Sequence, residues 1–377
     1  MLFPNCNDSK GNPRQAVGRL SRRRLFAGLI PLCLMLFVGC NRSSDKITVA
    51  FISNNEHEFW KIAERGTQKA AEEFGVNVEF KMPSGGGTSA AQRRFIEDLL
   101  AKGVRGIAIS PNDAVNQTPF LKEVSQQVPL ITQDSDVPDI SARRCYIGTN
   151  NVLAGRAVGA LVKEAVPEGG KIVIYVGKLD VQNAIERRKG VVIELAGGED
   201  RCQAELKKLE AGEYPIQFGK YTLIDTMTDD GKQEICRSKA DDTLTKHPDV
   251  KCLIGLWAYN PPALLEAVKA AGKTRQIAIV GFDENEETLQ GIKDGYVAGT
   301  VVQNPFMFGY EAVRILARLA QGDESVLDRP DIDEKKRIYI PHRVITKKQP
   351  DFTKNSDEHR WVDVEMFHAE LKALKGS

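Results

Sequence analysis

The stretch Ile47–Gly75, ITVAFISNNEHEFWKIAERGTQKAAEEFG, contains the first unit of a pattern that repeats along the chain. Its first residues are apolar enough for a buried strand, the loop at 53–58 is polar, and an amphipathic helix is predicted from Phe59 and Trp60 onward. In open parallel α/β sheets, ligands bind at the carboxyl ends of the strands, where this loop lies. Neighbouring residues point about 100° apart on a helix, so both aromatic rings cannot face the core. We therefore expect at least one of the two rings to face a ligand crevice.

Short apolar strands alternate with helical segments along the rest of the chain. Further strands are predicted at 76–80, 106–110, 129–132, 145–148, 171–176, 221–226, 250–256, 277–280, 296–303 and 337–345. Helices are predicted between them and at 364–374, and the charged segment 197–213 is predicted to be an insertion. This alternation is typical of parallel sheets covered by helices on both faces. The sequence therefore predicts an α/β fold with two successive doubly wound units.

The N-terminal region has the pattern of an export signal. Five arginines between residues 14 and 24 precede the apolar run 25–38, which is too short for an ordinary membrane span. The end of this run, Phe37-Val38-Gly39-Cys40, resembles the lipobox of bacterial lipoproteins, which implies lipidation of Cys40 and a tether at 41–46. The segment 21–26, SRRRLF, resembles a twin-arginine export motif, and the general secretory route remains an equal alternative.

Composition excludes several other classes of function. The chain has 377 residues, 42% of them hydrophobic, and a net charge of +1, so it is long enough for two cores and has no overall field for nucleic acid. Four cysteines follow Cys40, and in an oxidising compartment they would form one or two disulfides with unspecified pairing; they are Cys145, Cys202, Cys236 and Cys252. Their spacing does not fit a zinc site, and neither a metal nor a cofactor is expected.

Polar and aromatic side chains follow the strands of both units, at strand ends or strand-to-helix junctions. They are Phe59, Trp60, Asp134, Ser135, Arg187, Trp257, Asn260, Asp283 and Gln303. Such a set suits a neutral polyol, because apolar sugar faces stack on aromatic rings and each buried hydroxyl needs paired partners. Arginine and aspartate make the stronger, charge-assisted hydrogen bonds. Two sheets that face each other across a cleft would bring these residues together.

Taken together, the motifs resemble those of the ribose-type periplasmic sugar-binding proteins of ABC importers, which have the type I periplasmic binding fold. The resemblance covers roughly residues 46–345 and rests on motifs in a characteristic order. They are the aromatic pair 59–60, YIGTNN at 146–151 with AGR at 154–156, ERRKG at 186–190, HPDV at 247–250, GFD at 281–283 and Gln303.

The resemblance implies two lobes joined by a multi-strand hinge. The N-terminal lobe would comprise 47–149 and 304–335, the C-terminal lobe 150–303 and 336–345, and residues 346–377 would be a tail. It also implies site roles. Phe59 and Trp60 would sandwich a sugar ring, Asp134 would accept from ring hydroxyls, and Arg187 would donate from the second lobe. Asp283 would clamp two hydroxyls and Gln303 would sit at the hinge. His57, Ser135, Thr149, Trp257 and Asn260 complete the expected ligand-binding set.

Three departures from the ribose pattern leave the sugar open. Residues 57–58 are His-Glu where ribose binders carry Asn-Pro, Ser135 replaces an arginine, and Trp257 stands about where they carry an asparagine. A pentose, a hexose and a related polyol all remain possible ligands.

Several of these residues also have purely structural interpretations. Asp134 would cap a turn, Trp257 would pack in the core, and Asn260, which precedes two prolines, would serve a turn. His57 would lie in a solvated loop, and Asp229 is predicted to be solvated.

The function expected from the resemblance is an extracytoplasmic receptor, anchored by lipid at Cys40, that delivers a monosaccharide or polyol to the membrane subunits of an ABC permease. A monomer is expected, and no nucleic acid partner. A sensor that presents sugar to a membrane receptor or kinase is an alternative that the sequence does not separate. A regulator of the lactose-repressor type would need a helix-turn-helix where the signal lies. An enzyme is not expected, since neither a Gly-x-Ser-x-Gly elbow nor a Walker loop occurs.

Overall fold

Two parallel-type sheets, each covered by helices on both faces, make up the computed structural model, which describes residues 46–84, 87–347 and 360–375. The first sheet has six parallel strands in the order β12-β5-β4-β3-β1-β2. Its strands are β1 (Thr48–Ile52), β2 (Asn77–Lys81), β3 (Ile107–Ile109), β4 (Leu130–Gln133), β5 (Tyr146–Gly148) and β12 (Arg337–Tyr339). Its helices are α1 (Glu58–Phe74), α2 (Ser89–Ala101), α3 (Ala114–Ser125) and α10 (Pro305–Ala320).

The second sheet has eight strands in the order β14-β13-β11-β10-β9-β6-β8-β7, with antiparallel pairing only at β11–β13 and β7–β8. Its strands are β6 (Gly170–Val176), β7 (Ile216–Phe218), β8 (Tyr221–Thr228), β9 (Val250–Gly255), β10 (Ala278–Phe282), β11 (Gly299–Val302), β13 (Arg343–Thr346) and β14 (Arg360–Asp363). Its helices are α4 (Asn151–Ala165), α5 (Gln182–Ala196), α6 (Gln203–Ala211), α7 (Gln233–Lys246), α8 (Asn260–Ala270), α9 (Glu286–Lys293) and α11 (Val364–Lys375). The predicted pair of α/β lobes is therefore confirmed.

Each sheet lies between two apolar clusters, as a doubly wound fold requires. In the first lobe, one cluster packs under α1 and α10 and the other under α2 and α3. In the second lobe, α4, α5 and α6 cover one face, and α7, α8 and α9 cover the other. Burial of apolar side chains on both faces explains why the strands read as continuous hydrophobic runs.

The chain passes between the sheets three times. It leaves the first sheet after β5, returns between β11 and α10, and leaves again between β12 and β13. The single strand predicted at 337–345 is therefore wrong: residues 337–339 pair with β5 in the first sheet, and residues 343–346 pair with β11 in the second. The apolar pattern continues across both strands because each is buried in its own lobe, so periodicity does not reveal the crossing.

Three further local predictions needed correction. The supposed insertion at 197–213 contains α6, whose Leu206 and Leu209 are buried in the core of the second lobe. Strands β7 and β14 were not predicted. Helix α8 begins at Asn260, three residues before the start at Ala263 that the sequence predicts, with prolines in its first turn, where the absence of an N–H is harmless.

The four described cysteines are free and buried, so the disulfide prediction is wrong for this part of the chain. Cys145 lies in the first lobe, Cys236 lies on one face of the second sheet, and Cys202 and Cys252 lie on its other face. Burial raises the pKa of the Cys145 and Cys236 thiols to about 12 in each case. Among residues 46–84, 87–347 and 360–375, no group of acidic, histidine or cysteine side chains is arranged to hold a metal ion. Within the same ranges, none of the helices has the length and apolar character needed to cross a membrane.

Candidate functional site

Asp134 lies at the carboxyl end of β4, where the chain turns out of the first sheet. Its backbone has a positive φ of 60°, a conformation that aspartate tolerates better than most residues. The hydroxyl of Tyr146 donates to the Asp134 carbonyl oxygen at 2.9 Å and fixes this turn. The Ser110 hydroxyl, at the end of β3, donates to Asp134 Oδ2 at 3.3 Å. The carboxylate is thereby held at the edge of the first sheet.

Asp283 occupies the corresponding position in the second sheet, directly after β10, and its φ is 66°. Its backbone N–H donates to Val301 O at 2.7 Å, and its carbonyl accepts from Thr300 Oγ1 at 2.9 Å. Gln303 Nε2 donates to Asp283 Oδ1 at 3.0 Å. Both aspartates therefore leave a sheet edge through a left-handed residue whose backbone groups are paired.

Arg187, on α5, is almost completely buried at 2% exposure. Its Nε donates to Asn151 Oδ1 at 2.9 Å and its Nη1 donates to Leu256 O at 2.8 Å. The guanidinium lies over the Phe282 ring, with Cζ 3.7 Å from the ring centroid. These contacts fix the plane of the guanidinium, and neither of the two hydrogen bonds uses Nη2.

Close packing of α4 against α5 fixes the position of Arg187. A Cβ added at Gly155 on α4 would lie 2.2 Å from the Arg187 carbonyl oxygen, far closer than any real contact. Glycine at this position therefore allows α4 and α5 to pack with their backbones in contact. This close helix contact fixes how far Arg187 reaches toward the sheet.

The two aspartates and Arg187 act on one another electrostatically, although Asp134 belongs to the first lobe and the other two to the second. Burial raises the pKa of Asp134 to about 6, Arg187 opposes this effect, and Asp283 adds to it. Burial also raises the pKa of Asp283, again opposed by Arg187 and by the Gln303 hydrogen bond. Burial lowers the pKa of Arg187 and both carboxylates raise it. Two desolvated carboxylates, one from each lobe, thus lie within electrostatic range of one guanidinium.

The aromatic pair forms part of the first-lobe core. Trp60 is 2% exposed, and its indole N–H donates to Asn54 Oδ1 at 2.9 Å. Phe59 is partly buried, and its ring lies edge-on to Trp60 with centroids 4.8 Å apart and an interplanar angle of 84°. Perpendicular rings do not form a pair of parallel plates, so the sandwich role stays a prediction, with Phe59 as the more exposed ring.

His57 caps the first helix. Its Nδ1 accepts from the backbone N–H of Phe59 at 3.2 Å, while the residue as a whole is exposed. His57 also lowers the pKa of Asp283 through its charge, so it lies close enough to act on the second-lobe carboxylate. The same residue therefore starts α1 and borders the cleft.

Trp257 and Asn260 form a single structural unit after β9. The backbone N–H of Trp257 donates to Asn260 Oδ1 at 2.9 Å, and Asn260 Nδ2 donates to Asp229 Oδ2 at 2.9 Å. Asn260 is completely buried and its amide groups are engaged inside the lobe, which supports the turn interpretation over a ligand role. Asp229 was predicted to be solvated but is 2% exposed, because Tyr259 and Asn260 donate to its carboxylate.

Two other predicted residues, Thr149 and Ser135, lie at the edge of the first sheet, and Trp257 follows β9 in the second. Thr149 is 2% exposed, and its hydroxyl oxygen has no hydrogen-bond partner among the described residues. The indole nitrogen of Trp257 is likewise buried without a partner within the described ranges. Ser135 is partly buried, and its backbone N–H donates to Gln133 O at 2.7 Å. Unpaired buried polar atoms are costly, so the Thr149 hydroxyl oxygen and the Trp257 indole nitrogen are good candidates for ligand contacts.

A buried glutamine joins the loops of the first lobe. Gln92 Nε2 donates to the carbonyls of Ser53 at 2.9 Å and Ser110 at 2.7 Å. Its Oε1 accepts from Asn112 N and from Gln117 Nε2. The carboxamide is fully paired, and it links the ends of β1 and β3 where the cleft begins.

Sequence reasoning missed the residues that hold the charged groups. Ser110, Tyr146, Asn151 and Phe282 contact Asp134 or Arg187 directly. Ser110 is the last residue of a predicted strand, and Asp134 lies just after another. Position at a strand end would therefore have identified Ser110 as a site residue. The others lie within recognised motifs, but no pattern in those motifs indicates which partner each contacts.

Comparisons with known proteins agree with this architecture. The family described as "Periplasmic binding protein domain" matches residues 48–324. The ribose import binding protein RbsB of Salmonella typhimurium is 23% identical over 308 residues, which is 81% of this chain and 95% of that protein. The D-ribose/D-allose-binding protein of Pseudomonas aeruginosa is 23% identical and covers 79% of this chain and 92% of its own length.

Solved structures show the same two-lobe arrangement. An ABC transporter solute-binding protein from Burkholderia graminis, in complex with D-arabinose, has a TM-score of 0.66 and 28% identity, and the match covers 82% of this chain and 97% of that one. A solute-binding protein from Agrobacterium vitis with bound D-fucose has a TM-score of 0.65 and 20% identity, covering 81% and 97% of the two chains. The second likeness concerns the fold alone.

Proposed function

This chain belongs to the periplasmic binding protein domain family, and from that premise we propose that it captures a monosaccharide or related polyol between its lobes and delivers it to an ABC importer. The observation that carries the proposal is that Asp134, at the sheet edge of the first lobe, and Arg187 and Asp283, of the second lobe, lie within electrostatic range of one another. Together they offer acceptors and a donor from both sides of one cleft. A ligand that bridges them would bind best when the lobes are together, because only then are both sets of partners in reach.

The proposed ligand contacts follow from the chemistry of each group. The carboxylates of Asp134 and Asp283 accept from hydroxyls. Arg187 donates through Nη2, which its hydrogen bonds to Asn151 and Leu256 do not use. The Phe59 and Trp257 rings supply apolar faces. Thr149 and the Trp257 indole N–H pair with hydroxyls that would otherwise be buried unpaired, while Gln303 orients Asp283. His57 and Ser135 lie at the border of the site, Trp60 supports Phe59, and Asn260 supports Trp257.

A ligand screen tests this proposal. The panel contains D-ribose, D-allose, D-arabinose, D-fucose, further pentoses and hexoses, and polyols, each at millimolar concentration. A ligand at 100 times its dissociation constant stabilises the native state by about 2.7 kcal/mol, which is readily seen as a rise in melting temperature. The absence of any shift across the panel contradicts the sugar-binding function.

Lipid anchoring at Cys40 and an extracytoplasmic location are part of the same proposal. Cys40 and the signal pattern lie outside the described residues, so their support is the sequence 37–40 after the apolar run. A Cys40→Ser variant is expected to lose lipid label and to appear in the soluble fraction. Retention of both lipid and membrane association in that variant contradicts the anchor.

The lobe boundaries and the monomeric state also remain proposals. The topology supports an N-terminal lobe of 47–149, 304–335 and β12, and a C-terminal lobe of 150–303 together with β13, β14 and α11. The last crossing then falls at 340–342 instead of 336. Light scattering after size exclusion tests the monomer, since a dimer doubles the measured mass.

A further inference from the structure

The C-terminal strand and helix lie beyond the residues matched to the family, which end at 324. Strand β14 extends the second sheet by pairing in parallel with β13, from Arg343 opposite Arg360 to Thr346 opposite Asp363. Helix α11 follows at once and packs against α9 and β13. This unit is therefore an integral part of the second lobe.

Both apolar and charged contacts hold α11 in place. Val364, Phe367 and Leu371 are buried in the second-lobe cluster. His368 Nε2 lies 3.0 Å from Glu286 Oε1 on α9, and Arg343 Nη1 on β13 lies 2.8 Å from Glu370 Oε1. The helix is thus tied along its length to the second lobe.

The same helix also contacts the first lobe. Ile62 on α1 is 4% exposed, and it joins the second-lobe cluster that contains Phe367 and Leu371. Its neighbours on α1, such as Trp60 and Ala63, pack instead in the first-lobe cluster. Contact between α1 and α11 is therefore contact between the lobes.

The junction lies beside the crossing between β11 and α10. A small cavity there is lined by Ile62 from the first lobe, by Phe367 and Leu371 from α11, and by the crossing residues 303–305. Gln303 in that crossing donates to Asp283 in the cleft. The cavity residues other than Ile62 belong to the second lobe or to the crossing itself. A rotation of one lobe against the other must therefore move α1 relative to these residues.

We propose that α11 is an interlobe clasp, a positioning element that holds α1 against the crossing at Gln303 and so keeps the two halves of the cleft together. Its action is through packing, and it touches neither Asp134 nor Arg187 in the described structure. The packing of α11 against α1 is present without any ligand, so the test below uses the ligand-free protein and does not require a sugar.

The test measures the distance between the lobes in the ligand-free full chain. Spin-labelled non-canonical amino acids replace Val115 and Leu179, which are 69% and 42% exposed and follow β3 and β6 at the two edges of the cleft. Pulsed electron spin resonance then gives the distribution of interlobe distances. Ile62→Ala and Leu371→Ala are made singly and together in this background. Met366→Ala on the same helix is the matched control, because Met366 is 66% exposed.

Ile62→Ala and Leu371→Ala are each expected to increase the longer-distance population several-fold, with a double variant that is less than additive, since both side chains line one cavity. Met366→Ala is expected to match the parent. Circular dichroism checks folding, and Ile62→Ala, a helix-compatible change outside α11, carries the test if Leu371→Ala is poorly folded. Unchanged distributions in Ile62→Ala, or equal changes in Met366→Ala, overturn the clasp. A failed sugar screen leaves this result unaffected.

Discussion

Gln303 donates a 3.0 Å hydrogen bond to Asp283, so a residue at a crossing between the lobes orients a carboxylate in the cleft. Asp283 follows β10 and Gln303 follows β11, and these neighbouring strands pair in parallel. The carboxylate is therefore fixed to the second lobe by its backbone and to the crossing by its side chain. Movement at the crossing is expected to change the ligand-facing group directly.

Asp283→Asn is expected to abolish stabilisation by sugar while leaving the ligand-free melting temperature nearly unchanged. Asparagine retains the shape and tolerates the positive φ of 66°. It removes a carboxylate whose pKa is raised by burial, so the folded state loses no favourable charge. Asp283→Ala is the comparison, and a residue without a polar side chain in the left-handed region costs roughly 1–2 kcal/mol. A large loss of ligand-free stability in Asp283→Asn would show that the carboxylate is structural.

The contribution of Asp134 to the stability of the ligand-free protein is expected to fall as pH rises from about 4 to about 6. The pKa of Asp134 is about 6 in the folded chain, above the value of 3.8 for an unperturbed aspartate, so the folded state holds a proton that the unfolded state releases in this window. Above pH 6 this contribution is fully lost and constant. The difference in melting temperature between Asp134→Asn and the parent, measured from pH 4 to 8, reports the effect. Parallel profiles contradict it.

Sugar binding is expected to follow the opposite trend. A hydroxyl donates to the ionised Asp134 carboxylate, so protonation below about pH 6 should weaken binding. Titration calorimetry at pH 5 and pH 7.5 with a sugar from the screen measures the change. Asp134→Asn should bind weakly at both values and show a smaller dependence on pH than the parent, since Asp283 retains its own raised pKa.

Asn151→Leu is expected to weaken sugar binding through Arg187. The substitution removes the acceptor of Arg187 Nε at 2.9 Å, and a buried donor without a partner costs about 1–3 kcal/mol. The guanidinium then has only Leu256 O and the Phe282 ring to hold it. Asn151→Asp keeps an acceptor at the same place and should restore most of the affinity. Equal losses of affinity in both variants would contradict the proposal that an acceptor at residue 151 positions Arg187 for binding.

Gln92→Leu is expected to lower the free energy of unfolding by about 1–3 kcal/mol, because it leaves the buried carbonyls of Ser53 and Ser110 without this donor. Urea denaturation measures the change. Glu97→Leu on the same helix is the control, since Glu97 is exposed. The two loops begin the first-lobe side of the cleft, so sugar affinity should also fall in Gln92→Leu. An unfolding free energy equal to that of the parent contradicts the bridging role.

Much of the fold could be predicted from sequence because each lobe repeats a buried strand, a loop and an amphipathic helix. The prediction failed where one apolar run serves two sheets, at residues 337–346, and where α6 presents only a few apolar residues to a core. Both failures have the same cause. Periodicity indicates that a segment is buried, but it does not identify the surface that buries it.

Within the candidate site, the charged residues were predictable and their supports were not. Asp134 and Asp283 directly follow strands, so topology alone sends them to a sheet edge. Asn260 also lies at a strand-to-helix junction, where α8 begins after β9, yet its carboxamide is engaged by Trp257 and Asp229 inside the lobe. Hydrogen bonds of this kind depend on side-chain orientation, which strand and helix patterns do not specify.

The pairing of β12 with β5 has a consequence for how the protein is made. Residues 146–148 must wait for residues 337–339 before the first sheet gains its last strand, and the second sheet closes only with residues 360–363. During vectorial synthesis, neither lobe can be completed until nearly all of the chain has emerged, and β5 remains an open edge until residues 337–339 are available. The native state of each lobe therefore forms only after its C-terminal strands are available, so a chain held before that point still lacks an edge strand in both sheets.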